Sequence, residues 1–437
     1  MKNLLNIILT FPFIIIGAGI IYKQNCKNNN DLFLVHNVLF FTYFMLQILV
    51  SIIYSNIEFL LIELLIVLII INLYIFIISY LSNFMKANFF NIFNIKMISL
   101  SMLFIISLMI FFIKYYIFIN YTNFSIIGNN FQIPYLLSGF NVLSQNFEVV
   151  FLIIFCINFI KSPSIIKLIY CAFSLIPFLF PGLVAMGTKR ALIFSMVFLV
   201  IYFKKFLFEH KIYLFYLISI FIFLLLRYQS IRIGINDPLI VPLLTSPSFF
   251  ENISGVILLI FYTTDLQLVT YRPSVVDHFY TLLKFCTENG VLLLGEITLN
   301  SMGWILPGFL TDKSHLMSSD DLIYHYFDLP INGVFINSIG VDYATSIISD
   351  LFVDFSYFSV ILAPLLVAIA IHFSYILYSK LYRAPVIKFI VLALIFRSLN
   401  LIEESLATLF DVFRLSLIIY IFYETQLIFK RYLKSRT

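Results

Sequence analysis

The chain reads as a succession of apolar runs of about 20 residues, each long enough to cross a bilayer as a helix, separated by short polar joints. The runs fall near 4–22, 32–54, 58–82, 97–120, 136–160, 168–186, 191–208, 212–227, 348–377, 388–409 and 412–429. This pattern predicts an all-α fold: a polytopic transmembrane helix bundle of about eleven spans, give or take one. Pro177, Pro181 and Pro364 fall in or near these runs, where neighbouring helices satisfy the carbonyls that proline frees. The first run lacks a polar break followed by a small-residue cleavage site, so it reads as a retained span and not a signal peptide.

Composition agrees with that pattern. The 437 residues are 62% hydrophobic and only 11% charged, with a mean hydropathy of +1.03. A soluble domain carries about a quarter charged residues, so most of this surface faces hydrocarbon. Length alone suggests about three soluble domains, whereas a membrane bundle of this size is usually one unit. Cys26, Cys156 and Cys171 fall in predicted membrane or cytoplasmic positions and Cys286 stands alone outside. That arrangement shows neither a disulfide framework nor metal-ligand spacing.

The basic residues orient the bundle. Alternate joints hold Lys23 and Lys27, Lys86 and Lys96, Lys161 and Lys167, then Lys204, Lys205 and Lys211. The same side takes Lys380, Arg383 and Lys388, and finally Lys430, Arg431, Lys434 and Arg436. That side is assigned to the cytoplasm, which puts the N-terminus in the periplasm and the C-terminus in the cytoplasm. The expected location is the bacterial inner membrane.

One connection, from about Tyr228 to Ala344, is far longer than the rest and lies outside in this scheme. Three segments follow: an N-terminal transmembrane bundle (1–227), a large periplasmic loop or cap (228–344) and the C-terminal transmembrane helices (345–437). Apolar and aromatic residues run all through the loop, so it is expected to fold as short amphipathic or re-entrant helices. Ser248-x-x-Glu251, Ser274-x-x-Asp277 and Ser318-x-x-Asp321 read as capping boxes, and Gly290 closes the second helix.

Basic residues on the outer side oppose the orientation rule and need an explanation. Gly187-Thr188-Lys189-Arg190 forms an outer turn, the eighth span exits into Arg227 and Arg232, and the loop adds Arg272. Two explanations stand. The arginines pair with loop carboxylates such as Asp237, Asp265 or Asp320, or they hold an anionic ligand, since a guanidinium fork matches phosphate oxygens. Gly187 also fits a tight turn into a helix N-terminus, whose free amides favour anions.

Ionisable residues inside spans form a second group. Asn141, Gln145 and Glu148 share one helix face, as do Arg397, Asn400 and Glu404. Such residues face the bundle interior and mark either function or a structural pair. The loop also carries Asp277-His278, His315 and His325. A proton acceptor near a phosphate-binding arginine is what glycosyl transfer needs, whereas Asp277 also reads as a capping residue and His278 as a solvated one.

On these residues the chain resembles the Wzy-type O-antigen and oligosaccharide repeat-unit polymerases. The resemblance rests on the overall plan, on the outer Gly187-Thr188-Lys189-Arg190 helix entry, and on the segment after the loop, Asp350-Leu351-Phe352-Val353-Asp354-Phe355-Ser356. Asp350 stands where that family usually has glutamate, and Ser356 where it usually has glycine. The resemblance implies a metal-independent glycosyltransferase of the GT-C kind that needs no cofactor and works on the periplasmic face. It would polymerise undecaprenyl-diphosphate-linked oligosaccharides, within the membrane lipid and beside a chain-length regulator and a flippase of the same pathway. Arg190, Arg272, Arg232, Arg227 and Lys189 would hold the diphosphate, and Asp350, Asp277 and His278 are the candidate proton acceptors.

An O-antigen ligase shares the plan and the donor but transfers the glycan to lipid A core. A glycolipid flippase predicts two related halves with short loops, which this sequence does not show. The chain carries no phosphate-binding P-loop, dinucleotide glycine fingerprint or zinc-protease motif. A net charge of +5 with juxtamembrane basic clusters gives no support for nucleic-acid binding.

Overall fold

The computed structural model describes residues 2–27, 32–54, 60–87, 99–121, 146–179, 188–203, 275–290, 292–305, 346–381, 385–402 and 404–434, together with Leu137, Phe140 and Ser144. Every regular element among them is helical. In chain order these are α1 (Lys2–Lys27), α2 (Leu32–Tyr54), α3 (Leu61–Leu81), α4 (Leu100–Tyr121), α5 (Phe147–Lys161), α6 (Ile165–Leu175) and α7 (Thr188–Tyr202). Then follow α8 (Val275–Asn289), α9 (Glu296–Ile305), α10 (Ile347–Phe355), α11 (Ser359–Lys380), α12 (Pro385–Leu399) and α13 (Leu406–Lys434).

Six stretches are long and apolar enough to cross a membrane: Leu5–Lys27, Leu32–Leu49, Leu61–Leu81, Leu100–Ile117, Ile347–Lys380 and Leu406–Phe429. Their outward faces carry large apolar side chains, such as Ile8, Phe11 and Ile15 on α1 and Ile418, Phe422 and Phe429 on α13. Stripes of this kind are not tolerated in water. The chain is a helical membrane protein.

By contacts the chain divides into two units, one of Met1–Asn94, Arg272–Pro330 and Asp342–Thr437, the other of Ile95–Tyr271 and Ile331–Val341. In the first unit α3 packs between α1 and α11, α11 packs on α12, and α9 packs on α13. Helices α1 and α3 run parallel, because Gly17 faces Asn72 and, further along both, Gln24 reaches Ser82. Helix α2 runs against both, with Asn37 on Gln24 and Phe41 back at Gly17. A methyl group on Gly17 would fall 2.3 Å from the Phe41 ring, so glycine is what lets these helices approach. His36 joins α2 to two neighbours: one ring nitrogen lies 2.8 Å from the Leu399 carbonyl oxygen and the other 3.0 Å from the Tyr74 hydroxyl.

In the second unit α5 packs against α4, α6 and α7. Helix α6 ends at Leu175 and passes into a 3-10 turn, Ile176–Leu179. Pro177 lies inside that turn and has no backbone N–H with which to continue the α ladder. The predicted run 168–186 therefore does not stay a single helix to its end.

Three further boundaries differ from the hydropathy pattern. The predicted run 348–377 is two helices, α10 and α11, joined by the 3-10 turn Ser356–Phe358, in which Ser356 has φ +51. The run 136–160 is interrupted at Asn146, whose φ is +66, so α5 begins only at Phe147. The runs 388–409 and 412–429 divide at 400–405 and not at 410–411. Arg397 lies in the last turn of α12 and Glu404 precedes α13, so they do not share a continuous helix face. The run 212–227 and most of the long connection lie outside the described residues, although α8 and α9 fall within that connection.

Candidate functional site

In the first unit α10, a helix of only nine residues, packs against α8, α9, α11 and α13. Ser346 and Ser349 cap its start reciprocally, each hydroxyl accepting the other's backbone N–H, at 3.1 and 2.8 Å. From Ile347 to Asp354 every residue is buried, including two carboxylates with 0% exposure. An ion at such a depth is costly unless strong donors meet it.

Both carboxylates meet helix N-termini. Asp350 Oδ2 accepts the backbone N–H of Leu406, the first residue of α13, at 2.8 Å. Asp354 accepts the N–H of Ile297 at 3.1 Å, the N–H of Thr298 at 2.8 Å and the Thr298 hydroxyl at 2.6 Å. Those are first-turn groups of α9. The opening turn of a helix presents unsatisfied N–H groups and a positive dipole end, which makes it a natural partner for an anion. One short helix therefore caps two others through side chains four residues apart.

The far end of α10 is tied down as well. The Val353 carbonyl accepts the Leu293 N–H at 3.0 Å, which satisfies one of the carbonyls a helix leaves open at its C-terminus. Ser356 then turns the chain with φ +51 and ψ −140, a conformation that glycine adopts without strain and other residues do not. Gly295, at φ +97, begins the turn into α9, and Phe355 lies beside it.

Helix α8 carries the loop candidates Asp277 and His278 and packs on α2, α3 and α10. Phe279 meets Phe352 of α10 edge to face, with ring centroids 5.5 Å apart. The Tyr280 hydroxyl accepts the N–H of Leu60, the residue before α3, at 2.8 Å. Gly290 follows α8 with φ +63 and its N–H bonds the Cys286 carbonyl, as a closing glycine does. His278 is buried, and burial pushes its imidazole down to about 4, so it is uncharged at neutral pH.

The remaining candidates divide by where they fall. Lys189 and Arg190 occupy the first turn of α7, in the second unit, immediately after Thr188 opens the helix. Their side chains, and that of Asp277, lie outside the described residues, as do Arg227, Arg232 and Arg272 entirely. The structure thus brings Asp350, Asp354 and the helix bearing His278 into one packed region of the first unit.

Sequence reasoning missed the partners of two charged span residues. Glu148 at the start of α5 is ion-paired to Lys114 of α4, both side chains being 5% exposed, and Lys114 also donates to the Ser144 carbonyl at 3.0 Å. The signal was present: a lysine in an apolar run implies an acidic partner. Beside the pair lies a cavity of about 20 Å³, edged by Ser107, Phe111 and Pro177, which is room for about one water. Arg397 of α12 pairs with Asp411 of α13 at 2.9 Å, and Arg414 bonds the same carboxylate. Among the described residues no group of three or more His, Cys, Asp or Glu side chains is placed to hold a metal ion. Compared with known proteins, the chain matches no family model, no curated sequence and no solved structure.

Proposed function

We propose that this membrane protein is a glycosyltransferase that polymerises undecaprenyl-diphosphate-linked oligosaccharide repeat units at the periplasmic face of the bacterial inner membrane. The observation that carries the proposal is the conformation of the Asp350–Ser356 segment. It is a buried, acid-bearing helix closed by a residue at positive φ, where the polymerases it resembles have glycine. The backbone at Ser356 therefore takes the shape for which a glycine is selected.

The chemistry follows from the donor. A lipid diphosphate leaving group already carries the energy for transfer, so neither a nucleotide nor a metal is required. Negative charge grows on that diphosphate in the transition state, and fixed cations stabilise it there. Lys189, Arg190, Arg227, Arg232 and Arg272 are assigned that role. A proton must leave the attacking sugar hydroxyl, and Asp277 with its neighbour His278 on α8 is the candidate acceptor. Asp350 is fully buried with Oδ2 on the Leu406 N–H, so within this reading it acts as a positioning residue that holds α13 and α10 in register.

The lipopolysaccharide of a strain lacking the gene tests the proposal. A single repeat unit on core with no longer ladder is the expected result. Full-length polymer accumulating on the lipid carrier would identify a ligase instead. Loss of every externalised unit would identify a flippase.

A further inference from the structure

Between the C-terminal halves of α1 and α3 lies a groove of about 420 Å³ with one cationic and one apolar end. Ile16, Ile20 and Phe76 line the apolar end, and Lys23 and Lys27 stand at the other. On α1 these residues recur at helical spacing, so they form a single stripe. Seven residues of rise separate Ile16 from Lys23, about 10 Å, which matches the depth from a lipid headgroup to its upper acyl carbons. Gly19 lies on the same stripe and leaves the groove open: a methyl group there would meet no atom within 4 Å.

The two lysines are not consumed by the protein. Neither meets a carboxylate among the described residues, and both are exposed. A cation near a helix C-terminus often serves the open carbonyls there. At the end of α3 that work is already done, because Asn83 donates to the Ser79 and Tyr80 carbonyls and the Ser82 hydroxyl donates to Ser79. No acidic residue lines the groove. Both helices are among the membrane-crossing stretches, and α1 turns most of its surface outward.

We propose that the α1–α3 groove holds one anionic phospholipid, its phosphate on Lys23 and Lys27 and the start of an acyl chain along Ile16, Ile20 and Phe76. Basic clefts between membrane helices are suited to this ligand class, and each lysine at such a surface favours an anionic headgroup by about five-fold. The inference does not depend on the catalytic reading above.

The test is native mass spectrometry of the full-length protein in detergent, titrated separately with dioleoylphosphatidylglycerol and dioleoylphosphatidylcholine. The wild type is expected to retain the anionic lipid in preference to the zwitterionic one, by roughly 25-fold for the two lysines together. The double variant Lys23→Gln/Lys27→Gln should hold the two lipids equally, whereas Lys23→Arg/Lys27→Arg keeps the preference. Gly19→Leu fills the groove without altering charge and should lower retention of both lipids. The lysines are exposed, so the variants should match the wild type in elution and thermal midpoint. Equal retention of the two lipids by the wild type would overturn the proposal, as would a preference that survives in the double glutamine variant.

Discussion

Asp350 and Leu406, separated by 56 positions in the chain, are joined by a 2.8 Å hydrogen bond from the Leu406 backbone to the Asp350 carboxylate. That bond decides where the last membrane helix begins. Hydropathy alone would let the preceding apolar stretch run on through Leu401 and Ile402.

Removing the acceptor leaves a buried N–H at the head of α13. Asp350→Ala is expected to cost about 1–3 kcal/mol, read as a lower thermal midpoint in detergent. Asp350→Asn keeps an acceptor oxygen and should lose about half as much or less. If Asp350 acts by positioning, the asparagine variant also keeps most long polymer. A stable asparagine variant without polymer would instead give the carboxylate a direct part in the chemistry.

Ser356 is strained where glycine would not be. Ser356→Gly should raise stability by about 1 kcal/mol, because relief of a positive-φ side chain outweighs the added freedom of the unfolded chain. Ser356→Val should lower it by more than that. Denaturation midpoints of the two variants should therefore fall on opposite sides of the wild type.

His278 gives the first unit a pH dependence of known sign. Its folded value of about 4 lies below the ordinary 6.5. Above pH 6.5 both states are neutral and the residue adds no slope. As pH falls from 6.5 towards 4, the unfolded chain takes up a proton that the folded chain resists, so stability drops by up to about 1.4 kcal/mol per pH unit. Below 4 the loss levels off. His278→Gln should remove this part of the slope, seen as a wild-type minus variant difference in thermal midpoint that changes only between pH 6.5 and 4.

Lys114 and Glu148 form a buried pair whose members need each other. Lys114→Met strands the Glu148 carboxylate and should cost about 3–5 kcal/mol, whereas Lys114→Met with Glu148→Leu removes both charges and should come close to the wild type. Midpoints for the two singles and the double complete the cycle. Additive losses would mean that the pair is not coupled.

The sequence was most legible where apolar length alone sets the element. Helix α2 occupies Leu32–Tyr54, the limits of the run predicted for it, and α3 and α4 start and stop within a few residues of theirs. It was least legible where a distant side chain or a special backbone angle intervenes. The break before Leu406 depends on Asp350, the entry to α5 on the left-handed Asn146, and the bend after Phe355 on Ser356. No hydropathy window senses these. Asp350 is legible in the sequence as a candidate acid, but the groups that Asp350 and Asp354 meet are first-turn backbone amides and the Thr298 hydroxyl, which composition cannot name.

The double cap on α10 also imposes an order on synthesis. Helix α9 leaves the ribosome before Asp354 exists, so its opening amides at Ile297 and Thr298 wait 56 or 57 positions of chain for their carboxylate. Helix α13 meets the reverse situation: Asp350 is already made when Leu406 emerges. A nascent chain arrested between the two would hold α9 capped and α13 unstarted, so of the two helices that α10 caps, α13 is the one whose capping carboxylate is made before its own first turn is translated.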